Sequence, residues 1–217
     1  MIYSIYKPVG WTSFDVVKKI KGITRERKVG HAGTLDPFAE GVLIIGTGKD
    51  TKQLSDISSS KKSYKATLKL GKRTETLDNE GPIVEKKNVP DLNKVDVEKV
   101  LTTFKGDYIQ TPPMFSAKRV NGIRLYKLAR KNIKVSRDPV KVKIFEIALN
   151  SYKNKEIDFS VTCSKGTYIR VLAKDIAIKL KTIGYLTKLV RIKVGQYKVD
   201  ESTSIKSFEE KWKSIDR

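Results

Sequence analysis

One acid in this sequence stands in a setting suited to presenting its carboxyl group. Asp36 lies within His31-Ala32-Gly33-Thr34-Leu35-Asp36-Pro37-Phe38-Ala39-Glu40-Gly41. The proline after it biases it towards an extended backbone and away from helix. Glycines at 30, 33 and 41 let the chain pass close to a ligand or to another backbone. With His31 upstream, an acid held this way could serve as nucleophile or general base. The same Asp-Pro pair also starts ordinary turns, and a lone histidine is commonly a packed or surface residue.

A second constellation is Cys163-Ser164-Lys165-Gly166-Thr167-Tyr168-Ile169-Arg170. Its thiol reads as a small buried hydrophobe at the end of a strand. Tyr168 and Arg170 then fall at a strand-to-helix junction. Arg170 could pair bidentately with a carboxylate, and Tyr168 could stack on a base or donate a hydrogen bond. A surface arginine and a core tyrosine is the plain alternative. In Lys61-Lys62-Ser63-Tyr64-Lys65 a ring interleaved with lysines suits RNA, where bases stack and phosphates are neutralised. A solvated edge strand produces the same string. A phosphate-binding loop around Gly48-Lys49 fails, because Leu43 and Asp50 stand where a glycine and a hydroxyl are required.

Composition narrows the chemistry. The 217 residues carry 45 Lys+Arg against 24 Asp+Glu, a formal charge of +21. Such an excess points to a polyanion partner, most often nucleic acid. One histidine and one cysteine cannot build a His/Cys zinc site, and any Ser-His-Asp or Cys-His catalyst would have to run through His31. A single cysteine forms no internal disulfide and fits a reducing cytoplasm. The longest apolar run, Val42 to Ile45, is far short of a bilayer span, and Met1-Ile2-Tyr3-Ser4 opens no secretory signal.

The elements that must position these residues follow from local pattern. Ile2 to Tyr6 reads as a strand closed by the turn Lys7-Pro8-Val9-Gly10. Thr12 with Asp15 is a capping box opening an amphipathic helix over Phe14, Val17 and Ile20, with Gly22 as its stop. Gly41 to Gly46 reads as a buried strand. Ser63 to Leu70 alternates, placing Tyr64, Ala66, Leu68 and Leu70 on one face. Lys94 to Phe104 reads as a helix, and Asn121-Gly122 as the turn of a hairpin. Val140 to Leu149 and Ile157 to Cys163 are β-rich, Tyr168 to Leu180 is helical, and Leu186 to Tyr197 returns to strand. This mixed order predicts one α+β unit on an antiparallel or mixed sheet. Residues 1–205 are expected to form the catalytic domain and 206–217 a short C-terminal tail.

Taken in order, these segments resemble the TruB family of pseudouridine synthases. The resemblance rests on Lys7-Pro-Val-Gly-Trp-Thr-Ser13, Gly30-His-Ala-Gly-Thr-Leu-Asp36-Pro37, Lys65-Ala-Thr67 and Thr74-Glu-Thr76 with Asp78 and Gly81. It continues through Pro112-Pro-Met-Phe-Ser-Ala-Lys118, Gly122 with Leu125-Tyr126, and Cys163-Ser-Lys-Gly-Thr-Tyr-Ile-Arg170. It implies a mixed, mostly antiparallel sheet flanked by helices and loops, with a central catalytic cleft. It implies isomerisation of uridine to pseudouridine at position 55 of the tRNA T-loop, without metal or other cofactor. Asp36 would be the catalytic aspartate, and Arg170 would pair with it. Tyr64 would stack on the flipped base, with Tyr168 and Leu189 also contacting it, and His31 would enter the space the base leaves. The family commonly has two arginines after the leucine; here Val190 takes the first place and Arg191 the second, which puts local RNA contacts in question. A C-terminal PUA-type domain is not expected. The partner implied is tRNA, met by a cytoplasmic monomer without protein partners. The competing expectations are an RNA-binding tRNA-folding chaperone and a pseudouridine synthase for another RNA.

Overall fold

Thr12 and Asp15 form the predicted reciprocal cap in the computed structural model, which describes residues 1–120 and 122–215. The Asp15 amide donates to Thr12 Oγ1 at 3.0 Å, and the Thr12 amide donates to Asp15 Oδ2 at 2.8 Å. These bonds satisfy two otherwise open donors at the helix start, and the Thr12 hydroxyl, which donates to Asp15 Oδ2 at 2.6 Å, together with the Thr12 amide holds the Asp15 carboxyl below its usual range. The helix does not stop at Gly22. It runs to Thr24 and ends where Arg25 takes a left-handed φ of 55°. Packing of Ile23 against the core and burial of Thr24 carry the helix past a glycine that is tolerated within it.

The elements in chain order are β1 (Ile2–Lys7), α1 (Ser13–Thr24), β2 (Val29–His31), β3 (Glu40–Thr47), a 3₁₀ turn (Gly48–Gln53), α2 (Leu54–Ser59), β4 (Lys62–Leu70), β5 (Lys72–Thr74), β6 (Ile83–Lys86) and α3 (Lys94–Thr102). There follow β7 (Gly106–Gln110), β8 (Arg119–Val120), β9 (Ile123–Arg124), α4 (Leu125–Ala129), β10 (Val140–Lys153), β11 (Glu156–Cys163) and α5 (Ile169–Lys179). The chain closes with β12 (Gly184–Val194), β13 (Tyr197–Lys198), β14 (Thr203–Ser204) and α6 (Ile205–Ile215). This is a mixed α+β fold with a large, mostly antiparallel sheet flanked by helices. Val120 pairs with Ile123 in the predicted hairpin, whose Asn121 lies outside the described residues. No helix among the described residues is long and apolar enough to cross a membrane.

The chain divides into two compact units, Met1–Lys65 with everything from Leu189 onward, and Ala66–Lys188. In the first, the strand order is β14-β1-β3-β12, with β2 also on β3 and β13 also on β12. Strand β3 is buried on both faces, as its continuous apolar run requires. Leu43 and Ile45 enter a cluster with Ile5, Val16, Val17, Ile20 and Phe208, while Val42 and Ile44 enter another with Ala32, Leu54 and Val194. Helix α6 adds Phe208 and Trp212, whose rings meet Tyr3 edge-on. In the second unit β4, β11, β10 and β7 lie side by side. Along β4 the alternation is met: Tyr64, Ala66, Leu68 and Leu70 are all buried.

Candidate active site

The loop that carries Asp36 joins β2 to β3 and has no regular structure from Ala32 to Ala39. A loop without ladder bonds must satisfy its carbonyls by other means or leave them to water. Here each carbonyl from Gly33 to Pro37 is claimed. Arg191 donates through Nη2 to Gly33 O at 3.1 Å and through Nη1 to Thr34 O at 3.3 Å. Ser13 Oγ donates to Leu35 O at 3.1 Å and accepts from the Leu35 amide at 2.9 Å. Asp36 O receives the Ala39 amide at 3.1 Å, which closes the turn that Asp-Pro predicts. Pro37 O accepts from Lys7 Nζ at 3.3 Å and from the Gly10 amide at 2.8 Å. The Asp36 side chain emerges half-buried from a backbone that is held at every step.

Three buried polar side chains do this holding, and each comes from a different element. Lys7 ends β1, is fully buried, and also donates to Pro8 O and Trp11 O at 2.8 and 2.6 Å. Ser13 is the first residue of α1, so the cap that starts the helix also places its hydroxyl. Arg191 lies in β12, 1% exposed, and its Nε donates to Val42 O in β3 at 2.7 Å. Beside them, Tyr6 donates its hydroxyl to Glu40 at 2.7 Å. Burial and that carboxylate push the phenol up to about 12.

Strands β12 and β3 run parallel here, with Arg191 opposite Gly41. Gly41 has φ +107°, and a β-carbon on it would press into the Arg191 carbonyl and stand 3.0 Å from the Arg191 backbone nitrogen. Gly41→Ala should therefore destabilise the protein by about 2–4 kcal/mol, from backbone strain plus a clash that backbone cannot relieve cheaply. A thermal unfolding midpoint lowered by roughly 5–15 °C would register it.

Arg170 opens α5 and is buried, not a surface arginine. Its Nη1 donates to Thr76 O at 2.7 Å and its Nη2 to Phe115 O at 2.8 Å, and Nη1 lies 3.4 Å from Asp78 Oδ2. Asp78 is as deeply buried as its partner. Thr76 Oγ1 and the Glu80 amide both donate to Asp78 Oδ1, so the Thr74–Gly81 turn presents this carboxylate to the arginine. Tyr168 stands just before α5, where its amide donates to Gln110 Oε1 at 3.0 Å.

The remaining candidates fall as follows. His31 is half-buried in β2, opposite Ile45 of β3. Tyr64 is buried in β4 and Leu189 in β12. Asp36, His31, Tyr64 and Leu189 belong to the first unit, Tyr168 and Arg170 to the second. Lys62 is not an RNA-facing lysine: it is buried, and its Nζ donates to the carbonyls of Ser58 and Ser60. Arg191, the one arginine kept of the family's pair, is likewise turned inward. Lys7, Ser13, Asp78 and the true role of Arg191 went unseen. Only the polar character of Lys7 and Arg191 within apolar strands hinted at them.

Residues 21–169 match the model of the TruB family pseudouridylate synthase (N terminal domain). The chain is 43% identical over 209 residues to tRNA pseudouridine synthase B of Clostridium tetani, covering 96% of this chain and 72% of that protein. It is 45% identical over 204 residues to the Clostridium kluyveri protein of the same name, covering 94% and 70%. A solved structure of a Cbf5-Nop10-Gar1 complex superimposes with a TM-score of 0.78 at 26% identity, covering 100% of this chain and 56% of that one.

Proposed function

Because the chain belongs to the TruB family of pseudouridylate synthases and is an enzyme that isomerises uridine to pseudouridine in tRNA, we propose that Asp36 is its catalytic acid and the T-loop uridine at position 55 its target. The observation that carries this assignment is the Asp36 loop, whose backbone is fixed carbonyl by carbonyl around a half-buried Asp36. A group that must meet a ribose carbon or its proton within about 3–3.5 Å gains most from such fixation.

In the reaction the N1–C1′ bond of uridine breaks, the freed uracil turns, and a C5–C1′ bond forms; the proton on C5 is lost and N1 gains one. Asp36 acts on the ribose as nucleophile or base. Arg170 supplies a permanent positive charge, and Asp78 and the Thr76 carbonyl hold it in place. Extrusion of a base from a folded loop costs a few kcal/mol, and stacking on Tyr64 returns about 1–3 kcal/mol of it. Tyr168 and Leu189 contact the extruded uracil, and His31 fills the space it leaves. The net charge of +21 supplies affinity for the RNA backbone. The protein acts in the cytoplasm, as a monomer, without a partner protein or an added cofactor.

The test uses the purified chain alone on an unmodified tRNA transcript, with pseudouridine mapped at single-nucleotide resolution. Conversion of the T-loop uridine is expected. Tight binding without conversion would replace this reading by a tRNA-folding chaperone, and conversion elsewhere would keep the chemistry and discard the substrate.

A further inference from the structure

Arg191 is a costly residue to bury: a permanently charged side chain, 1% exposed, within a strand that otherwise buries apolar groups. Removing a guanidinium from water is costly, and a buried one ordinarily sits against a carboxylate. Among the described residues its hydrogen-bond acceptors are three backbone carbonyls, and no acid side chain accepts from it. Two of those carbonyls, Gly33 and Thr34, belong to the loop that ends in Asp36, and the third, Val42, belongs to the strand that leaves it. The side chain therefore bridges both ends of the loop. Its own backbone is pinned by the parallel pairing of Arg191 with Gly41, a position where any β-carbon would collide with it. Bond lengths of 2.7, 3.1 and 3.3 Å show all three donors engaged at once. The planar guanidinium fixes the directions of these three bonds relative to one another, which the rotatable donors of an ammonium do not.

We propose that Arg191 is a positioning residue for the isomerisation, which fixes the Asp36 carboxyl by clamping the Gly33 and Thr34 carbonyls to β3. This rests on the assignment of Asp36 as the catalytic acid. The same strand face carries Leu189, proposed above to pack on the uracil, so β12 sets base and acid in one register. Displacements of about 1 Å at a reacting group cost on the order of 100-fold in rate. Loosening the clamp should thus lower turnover without touching the surface that binds RNA.

The experiment compares wild type, Arg191→Lys, Arg191→Met and Asp36→Asn. It measures the single-turnover rate at saturating enzyme, the Kd for an unmodified T-stem-loop RNA, and the folded fraction by circular dichroism. Rates are expressed per folded molecule. Arg191→Met is expected to lose about 100-fold in rate with Kd within threefold of wild type. Arg191→Lys, which keeps the charge and part of the bonding, is expected to recover about tenfold of that loss. A rate within threefold of wild type in Arg191→Met overturns the proposal, as does a loss confined to Kd. Failure of both arginine variants to fold also overturns it, by making Arg191 a residue of the fold alone. If Asp36→Asn still converts uridine, the assignment of Asp36 fails, whatever the arginine variants do.

Discussion

Asp36→Asn should leave a folded, RNA-binding protein that forms no detectable pseudouridine. The substitution changes one oxygen for an amide nitrogen, and the bonds that hold the loop's carbonyls are made by other side chains and by main-chain groups. Gly33, Thr34, Leu35 and Pro37 are held through their backbones by Arg191, Ser13 and Lys7, and the turn at Asp36 is closed by its main-chain carbonyl. An amide can neither attack a ribose carbon nor take its proton, so the rate should fall by about 1,000-fold or more. Affinity for the tRNA should stay within threefold, because it resides in the lysine and arginine surface. Asp36→Glu is the sharper variant. One added methylene displaces the carboxyl by more than 1 Å, and a loop pinned at every carbonyl cannot retreat to compensate. A loss of about 100-fold is expected where a looser loop would permit substantial activity. Single-turnover assays with parallel filter binding measure both variants.

The second large effect is at Asp78. It shares a buried site with Arg170, both at 3% side-chain exposure. Asp78→Ala withdraws one partner of a buried guanidinium, and also removes the carboxylate to which the Thr76 hydroxyl and the Glu80 amide donate. Removing one member of a buried pair costs about 3–5 kcal/mol. Arg170 keeps its bonds to the Thr76 and Phe115 carbonyls, so the low end of that range is expected. The unfolding midpoint should fall by roughly 6–12 °C. Asp78→Asn retains shape and acceptor oxygen, and should lose less stability than activity: kcat is expected to drop about tenfold or more as Arg170 loses its fixed direction. Equal, mild effects of both substitutions on stability and rate would show that Arg170 is held without Asp78. Added salt should not reproduce either effect, since a buried pair is screened little.

Local rules located most of the elements. The capping box, the two-sided burial of β3 and the alternation along β4 each involve neighbours in sequence, where periodicity and capping chemistry decide the outcome. The two candidate segments, around Asp36 and around Arg170, stood out because glycine and proline mark unusual backbone, and their proposed roles came from the family resemblance. What holds those segments did not stand out. The hydrogen bonds from Arg191 reach acceptors 149 to 158 residues away, and Ser13 meets Leu35 across 22. No pattern within a helix or strand encodes such pairings. Lys62 shows the converse error: a lysine beside a tyrosine looks like an RNA contact, until the chain turns after α2 and offers it the carbonyls of Ser58 and Ser60.

The reach of Arg191 also orders events at birth. Translation proceeds from the amino end, so Asp36 leaves the ribosome long before the residue that fastens its loop, which lies 157 positions beyond Thr34. At about 5–20 residues per second that interval is on the order of 8–30 s. Throughout it the nascent chain already displays many of its lysines to a cell full of RNA, yet the Gly33 and Thr34 carbonyls lack the side chain that will fasten them. Competence arrives late and all together, when β12 docks beside β3.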